Sequence, residues 1–397
     1  MSKHSQPFAH PHQSAGIAAR DAAIARAVEA FEADDVDGAL AMLAESEIAW
    51  PDEPRIPCLI GKYTADRGLT ADGIAKLEGV LKRFPKHVPS LLELGGIYLK
   101  PGNMVRANPY IQQALELAPR APGPHCSMGS LQQRLGNLPE AVEQFRAALE
   151  LQLKAHVEVD RSTSKTAAFR VDDAEGLLWR TLALLANNGV HMFAAFGSLL
   201  GLTRNGALFA HDKDIDSGVP FSEMERAVGI LCRNGWSEAN HSFGFSNPRA
   251  MYHAATRISM DVSGFVIDEH TGKALTAGAW MPGLPKEWNM IFEFDRIELE
   301  KRPVPKGEGE AWCMRHPEAW LEAIYGNWQV PDKHFDTMVR AHNIRGFSLL
   351  AKCFAYSRIF EHWSNGNRPR AVALARHTLT RDPTDALMQK VVSRLNH

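Results

Sequence analysis

Positions 34 residues apart in the first third of this 397-residue chain carry matching residues. Gly102-Asn103 is matched by Gly136-Asn137, Ala107 by Ala141, Ala114 by Ala148, and Leu115 and Leu117 by Leu149 and Leu151. One period earlier Gly68, Gly73, Leu81 and Pro85 fall in register, with Pro85 aligning on Pro119. Ala39 and Pro51 continue the series more weakly. A period of this length implies stacked supersecondary units, because one unit cannot bury its own apolar face and each needs a neighbour. Small residues at fixed positions let paired helices approach, and a proline stops each unit. The run from Glu140 to Leu149 has the apolar spacing of one helix face. About four units fit between residues 19 and 154, after a polar stretch, 1–18, expected to be a disordered tail.

This pattern resembles tetratricopeptide repeats. The resemblance implies an α-helical solenoid whose concave surface binds a protein or peptide partner, builds a homodimer or holds an acceptor; simple packing against a neighbouring domain is the alternative. The same spelling returns late in the chain, where Gly366-Asn367-Arg368-Pro369-Arg370-Ala371 echoes Gly136 to Ala141. Ala371 to Ala375 with Thr378-Leu379 fit a second helix of a unit, Asp382-Pro383 ends it, and Thr384 to Leu395 read as a cap. Residues 341–397 are therefore expected to be repeat-like helices that brace what precedes them.

Residues 155–172 break the period and read as a connector. Between that connector and residue 340 the pattern changes to mixed helix and strand. Ala174 to Asn187 reads as a helix with Asp172 or Asp173 as its cap, Ser222 to Asn234 as another, and Pro317 to Ile324 as a third. Strands are expected at Val190 to Phe196, Ile258 to Ile267 and Ile291 to Leu299. After the first of these comes Gly197-Ser198, then a helical turn containing Leu199, Leu200, Gly201 and Arg204 that breaks at Asn205-Gly206. Asp212-Lys213-Asp214-Ile215-Asp216 follows. On a strand, residues i and i+2 face the same way, so Asp214 and Asp216 project together and Asp212 extends the row. Carboxylates so placed repel one another unless a cation sits among them, and Mg²⁺ or Mn²⁺ takes oxygen ligands of this kind together with substrate phosphates. A tight Gly-Ser turn about fifteen residues before an Asp-apolar-Asp strand is the pattern of the nucleotidyltransferase fold. Asp261, in a neighbouring apolar run, is a further candidate. An acidic surface turn with no metal is the ordinary alternative.

The stretch G-S-L-L-G-L-T-R-N-G-A-L-F-A-H-D-K-D-I-D-S-G-V, residues 197–219, resembles the signature of the LicD/fukutin family. That family carries G-T-L-L-G-x-x-R followed by D-x-D-x-D-x-G. Tyr325-Gly326-Asn327-Trp328 with Pro331 resembles the Tyr-Gly-x-x-x-x-Pro that closes the same domain. Ser198 stands where Thr is usual, Ala210-His211 replace Pro-Trp, and Lys213 lies between two aspartates. The resemblance covers residues 170–340 or so. It implies transfer of a phospho-alcohol, such as phosphocholine, ribitol phosphate or glycerol phosphate, from a CDP-linked donor to a hydroxyl of a glycan or lipid-linked saccharide. CMP leaves.

On that reading Asp212, Asp214, Asp216 and Asp261 are metal ligands. Asp214, Asp216 and Asp261 are catalytic, with Asp261 either ligand or general base. Gly197 and Ser198 approach a phosphate, and Arg204 forks onto its oxygens or pairs with the aspartates. Arg257, with Lys213, Arg249 and His253, contacts phosphate or acceptor. Tyr325 and Trp328 stack on a base or sugar, or simply close the core. The fold class expected is α+β: a tetratricopeptide-like helical solenoid at 19–154, a nucleotidyltransferase-like mixed-sheet domain at 173–340, and repeat-like helices at 341–397. Two other readings stay open. One is nucleotidyl transfer to a sugar or protein acceptor; the other is a non-catalytic repeat scaffold with a degenerate transferase domain.

Composition limits the alternatives. A net charge of −2 provides no bulk attraction for nucleic acid or an anionic membrane. Five scattered cysteines, without a C-x-x-C pair, argue against a zinc site or disulfide framework and fit a reducing compartment. No signal peptide and no 18-residue apolar run are legible. The expected setting is cytoplasmic, at or near the inner face of the membrane, in the synthesis or decoration of a surface polysaccharide.

Overall fold

The 34-residue period becomes a series of helix pairs. The computed structural model describes residues 11–396 apart from Pro101, 156–170, His211, Lys213, 240–244, Lys306 and Lys333. The first ten residues of the expected tail, most of the expected connector and the Lys213 candidate lie outside the described residues. Residues 11–18 of that expected tail instead open the first helix.

The chain divides into two units. The described part of the first is residues 11–99 and 105–119. It contains α1 (Pro11–Glu32), α2 (Val36–Ala49), α3 (Arg55–Asp66), α4 (Thr70–Arg83), α5 (Val88–Leu99) and α6 (Met104–Leu117). The second unit contains a further pair of the same build, α7 (Pro122–Arg134) and α8 (Leu138–Lys154). The pairs α3/α4, α5/α6 and α7/α8 share one close approach. Gly61, Gly95 and Gly129 stand 34 residues apart, and so do Leu77, Ile111 and Phe145 opposite them. A Cβ at each glycine would lie 2.7, 2.6 and 2.7 Å from the facing side chain, so only glycine lets the helices meet at that distance. This glycine series adds to the residues that marked the period in the sequence.

The compact-unit boundary falls near residue 120, not at 154 where the repeat pattern ends. The cause is packing. Leu138, Ala141, Phe145 and Leu149 of α8 share a buried cluster with α14 (Leu349–Ser364), α15 (Arg368–Arg381) and α16 (Ala386–Asn396). Arg146 donates to the Tyr356 hydroxyl at 3.1 Å and to Asp385 at 3.0 Å, and the hydroxyl donates to Asp385 at 2.5 Å. This triad ties three helices that are distant in sequence.

The rest of the second unit is a seven-stranded sheet with helices on both faces. Its strands are β1 (Phe193–Ala194), β2 (Asp214–Pro220), β3 (Trp236–Glu238), β4 (Arg249–His253), β5 (Ile258–Ile267), β6 (Ala274–Ala279) and β7 (Met290–Phe294). The order is β1-β2-β5-β4-β3, and the second half of β5 pairs with β6, which pairs with β7. Only β2 and β5 run parallel, and their register sets Asp216 beside Asp261. The ten-residue β5 is thus the spine. One face carries Ile215, Val219, Met251, Met260 and Val262, buried with Leu178 and Leu182 of α9 (Val171–Asn187) and Ala227 and Leu231 of α11 (Met224–Cys232). The other face carries Phe265 and Phe292 within an aromatic cluster with Phe193, Phe196 and Trp320. Toward the start of β2 and β5 this second face turns acidic. A separate hairpin, β8 (Leu299–Pro303) with β9 (Glu310–Met314), follows. After it come α12 (Pro317–Tyr325) and the short α13 (Thr337–Arg340).

Two expected strands differ. The run Val190 to Phe196 is reduced to two paired residues, because Phe196 turns to a φ of 41° and starts α10 (Phe196–Asn205). The run Ile291 to Leu299 splits into β7 and the start of β8, which belong to different sheets. No helix among the described residues is long and apolar enough to cross a membrane.

Candidate active site

The site is built where β1, α10, β2 and β5 meet. The short β1 delivers the chain to Ala195, whose N–H donates to the Asp216 carbonyl at 3.1 Å. Phe196 then adopts a left-handed backbone, a conformation that costs about 1–3 kcal/mol for a residue with a side chain. Its ring is packed 5.2 Å from Trp320 and 5.6 Å from Phe292, which holds the strained turn in place. The turn aims the N-terminus of α10 at β2. The Gly197 N–H donates to Asp216 Oδ2 at 2.9 Å, and the Asp216 N–H donates to Ser198 Oγ at 2.9 Å. A Cβ at Gly197 would lie 2.8 Å from Asp216 Oδ2 and 3.9 Å from Asp212 Oδ2, so both carboxylates reach to the same bare patch of backbone. Gly201 has a similar role one turn later, where a Cβ would meet the Ala207 carbonyl at 2.8 Å.

Ser198 is only 1% exposed and braces β2 from beneath. In this structure its hydroxyl, the expected phosphate contact, accepts from the Asp216 backbone. Gly197 likewise directs its N–H to a carboxylate.

Asp214, Asp216 and Asp261 share one face of the β2–β5 pair, with Ser259 beside Asp214. Asp212 precedes the strand and joins them through the approach to Gly197. Burial, followed by Asp214, Asp261 and Asp212, drives the Asp216 carboxyl well above the usual carboxylate range, with the Gly197 N–H pulling the other way. Burial and Asp214 push Asp261 up to about 7. Both residues retain some open surface. The donor set is all carboxylate oxygen, the set that a hard divalent cation takes, and the mutual repulsion is what such a cation relieves. Among the described residues no group of three or more ligand-type side chains is already drawn to one ligation point. The fit to Mg²⁺ or Mn²⁺ is therefore one of donor chemistry and charge.

Tyr325 is placed at this site. Burial, then Asp216, raise its hydroxyl above the ordinary value, while a hydrogen bond with Thr337 opposes the shift. Its ring lies 4.9 Å from Phe335 and packs on the aromatic cluster. Arg204, the expected phosphate clamp, is held between α10 and the turn after α12. It donates to the Trp328 carbonyl at 3.1 Å and lies 4.7 Å over the Phe209 ring. It thereby joins α10 to the Tyr325–Trp328 turn, across 124 residues of sequence.

Arg257 is not brought to the aspartates. It is exposed, has a φ of 59°, and lines a cavity of about 490 Å³ with Asp172, Asp173, Arg180 and Thr256. Arg249 and His253 lie on the opposite face of the sheet. Arg249 is paired with Glu238 and Glu225 at 2.6 Å, and the His253 ring meets Thr256 at 2.9 Å. Between these two, Tyr252 faces the aspartate side beside Ser259, a residue the sequence pattern did not single out. Alternation with the buried Met251 was the signal available for it.

Comparisons with known proteins reach only the helical repeats. No family model matches the chain, and no curated protein matches it. Among solved structures it is similar to a thermophilic TPR protein of Thermus thermophilus, at 17% identity over 34% of this chain and 74% of that one, with a TM-score of 0.31. It is also similar to MamA of Desulfovibrio magneticus, at 18% identity over 34% and 77%, with a TM-score of 0.29. A third is the APC/C hetero-tetramer Cut9-Hcn1, at 19% identity over 34% and 26%, with a TM-score of 0.32. At these scores they add nothing to the helix-pair geometry described above, and nothing about the aspartate site rests on them.

Proposed function

We infer that the sheet-bearing unit is a metal-dependent phosphotransferase that moves a phospho-alcohol from a CDP-linked donor to a hydroxyl of a glycan. The observation that carries this reading is the register of β2 on β5. It sets Asp216 beside Asp261 with Asp214 on the same face, next to a backbone N–H of α10. The identity of the donor rests on the resemblance of residues 197–219 to the LicD/fukutin signature.

Asp214 and Asp216 would hold the cation, with Asp212 at its edge. A bound divalent cation neutralises charge on the transferring phosphoryl group. The acceptor oxygen forms the new bond to phosphorus, the bond to the CMP oxygen breaks, and the acceptor proton passes to a carboxylate. Asp261 stands on β5, one strand beyond the aspartates of β2, and we assign it that proton. The positive end of α10 favours negative charge at Asp216 and on the donor beside it. Ser198 and Gly197 keep β2 at a fixed distance from that helix end.

The test is a thermal-shift series on the full chain with Mg²⁺ or Mn²⁺ and CDP-choline, CDP-ribitol, CDP-glycerol or CMP. A ligand at a hundredfold its Kd stabilises by about 2.7 kcal/mol. The expected result is a metal-dependent shift with at least one CDP-alcohol that Asp214→Ala and Asp216→Ala both abolish. Release of pyrophosphate instead of CMP would assign the site to nucleotidyl transfer. No shift with any nucleotide under either metal would remove the reading.

A further inference from the structure

The aspartates do not end the polar face of the sheet. Across the four strands β2, β5, β4 and β3, the register aligns Asp214, Ser259, Tyr252 and Ser237 in one row. The next row holds Asp216, Asp261 and Ala250. Neighbouring strands are about 4.8 Å apart, so Tyr252 lies ~10 Å from Asp214 along the row. It is a diagonal neighbour of Asp261 at about 7–8 Å. The face assignment is fixed by Met251 and Met260, which are fully buried on the opposite side. Tyr252 and Ser259 are half-buried and Ser237 is exposed. The Ser237 hydroxyl donates to the Tyr252 carbonyl at 3.3 Å, and Tyr252 is the largest side chain of the row. Ala250, with its small side chain, keeps the space between Tyr252 and Asp261 low.

This row runs away from α10, beyond the carboxylate assigned to the acceptor proton. An aromatic ring flanked by small hydroxyls suits a sugar: the ring covers the apolar C–H face, and hydroxyls bond the equatorial oxygens. We propose that Tyr252, with Ser259 and Ser237, forms the saccharide subsite of the acceptor. The proposal rests on the transferase reading for its place in the reaction, though the binding itself does not require catalysis.

The experiment is saturation-transfer difference NMR on the full chain with the methyl glycosides of glucose, galactose, N-acetylglucosamine and N-acetylgalactosamine. It is run on the wild type, Tyr252→Phe and Tyr252→Leu, alongside the CDP-alcohol thermal shift. Leucine keeps apolar bulk on the strand, and melting of each variant without ligand checks that it is folded. The expected result is saturation of ring C–H protons of at least one glycoside by the wild type and Tyr252→Phe. Affinity falls about tenfold in Tyr252→Leu, as losing a stacked ring implies, and the donor shift is unchanged. If no glycoside is saturated by the wild type, or Tyr252→Leu binds as well as the wild type, the subsite is overturned. It is also overturned if Tyr252→Leu loses the donor shift, since Tyr252 then belongs to the donor. Tyr252-dependent glycoside binding with no donor shift in the wild type would sink the transferase reading and leave the subsite standing.

Discussion

Asp261 has a carboxyl pushed up to about 7, first by burial and then by Asp214. A carboxylate whose folded value is raised binds its proton more tightly in the folded state. Its contribution is favourable at low pH and is lost as pH rises from the ordinary aspartate value toward 7. The metal-free protein should therefore lose stability between about pH 4 and pH 7. Asp261→Asn, which carries no charge, should melt higher than the wild type at pH 8 by about 1–3 kcal/mol and show little difference at pH 4. Melting curves of both proteins across that range check it, and equal slopes would exclude the assignment of the repulsion to Asp261. By the same logic Mg²⁺ should stabilise the wild type more at pH 8 than at pH 5. Gly197 offers a second residue-level test. Alanine there places a methyl 2.8 Å from Asp216 Oδ2, so Gly197→Ala should keep the fold and lose the metal-dependent donor shift. The Asp-apolar-Asp spacing and the Gly-Ser turn were legible because strand alternation is local. The use of Ser198 as a buried brace, and of Arg204 as a bridge to Trp328, was not. Both depend on a partner 18 and 124 residues away.

At the scale of elements, three of the helix pairs close on a glycine that faces a large side chain. Gly95→Ala would put a methyl 2.6 Å from Ile111, at a contact where neither helix can yield without shifting its neighbours. Overpacking of this kind costs about 1–3 kcal/mol. We expect a drop of that size in chemical denaturation, with Gly96→Ala, where nothing lies within 4 Å, neutral or better. Helix ends followed the sequence closely where a glycine or proline marked them: α10 stops at Gly206 with a φ of 71°, and α12 begins at Pro317. The strands were less legible. An apolar run such as Val190 to Phe196 carries no period, and only the aromatic packing of Phe196 turns its end into a helix.

For the whole molecule, the last helices are part of the sheet-bearing unit. Leu350, Phe354, Leu374 and Val391 are buried in the same cluster as Phe145, Phe292 and Trp320. Truncation before Leu349 should therefore destroy the cooperative melting of that unit, and a soluble, cooperatively melting fragment would contradict this account. Asp385→Ala removes one member of a triad whose carboxylate is 1% exposed, leaving Arg146 and Tyr356 without it. Breaking such a pair costs about 3–5 kcal/mol. Burial alone would raise the Asp385 carboxyl, but Tyr356 and Arg146 outweigh it and hold it below the usual range. The stabilisation is therefore present near neutral pH and lost in acid. The sequence by itself determined the repeat period, the helices that glycine and proline punctuate, and the aspartate row, because each is written in spacings of a few residues or in a fixed period. Tertiary structure alone decided that α7 and α8 belong with the C-terminal helices and that Asp261 stands beside Asp216. It also decided that β4 lies beside β5, which turns the side of that strand carrying Tyr252, and not the side carrying Arg249 and His253, toward the aspartates. Those outcomes depend on strand order and register, which are set by burial of surfaces far apart in the chain and leave no mark in local spacing.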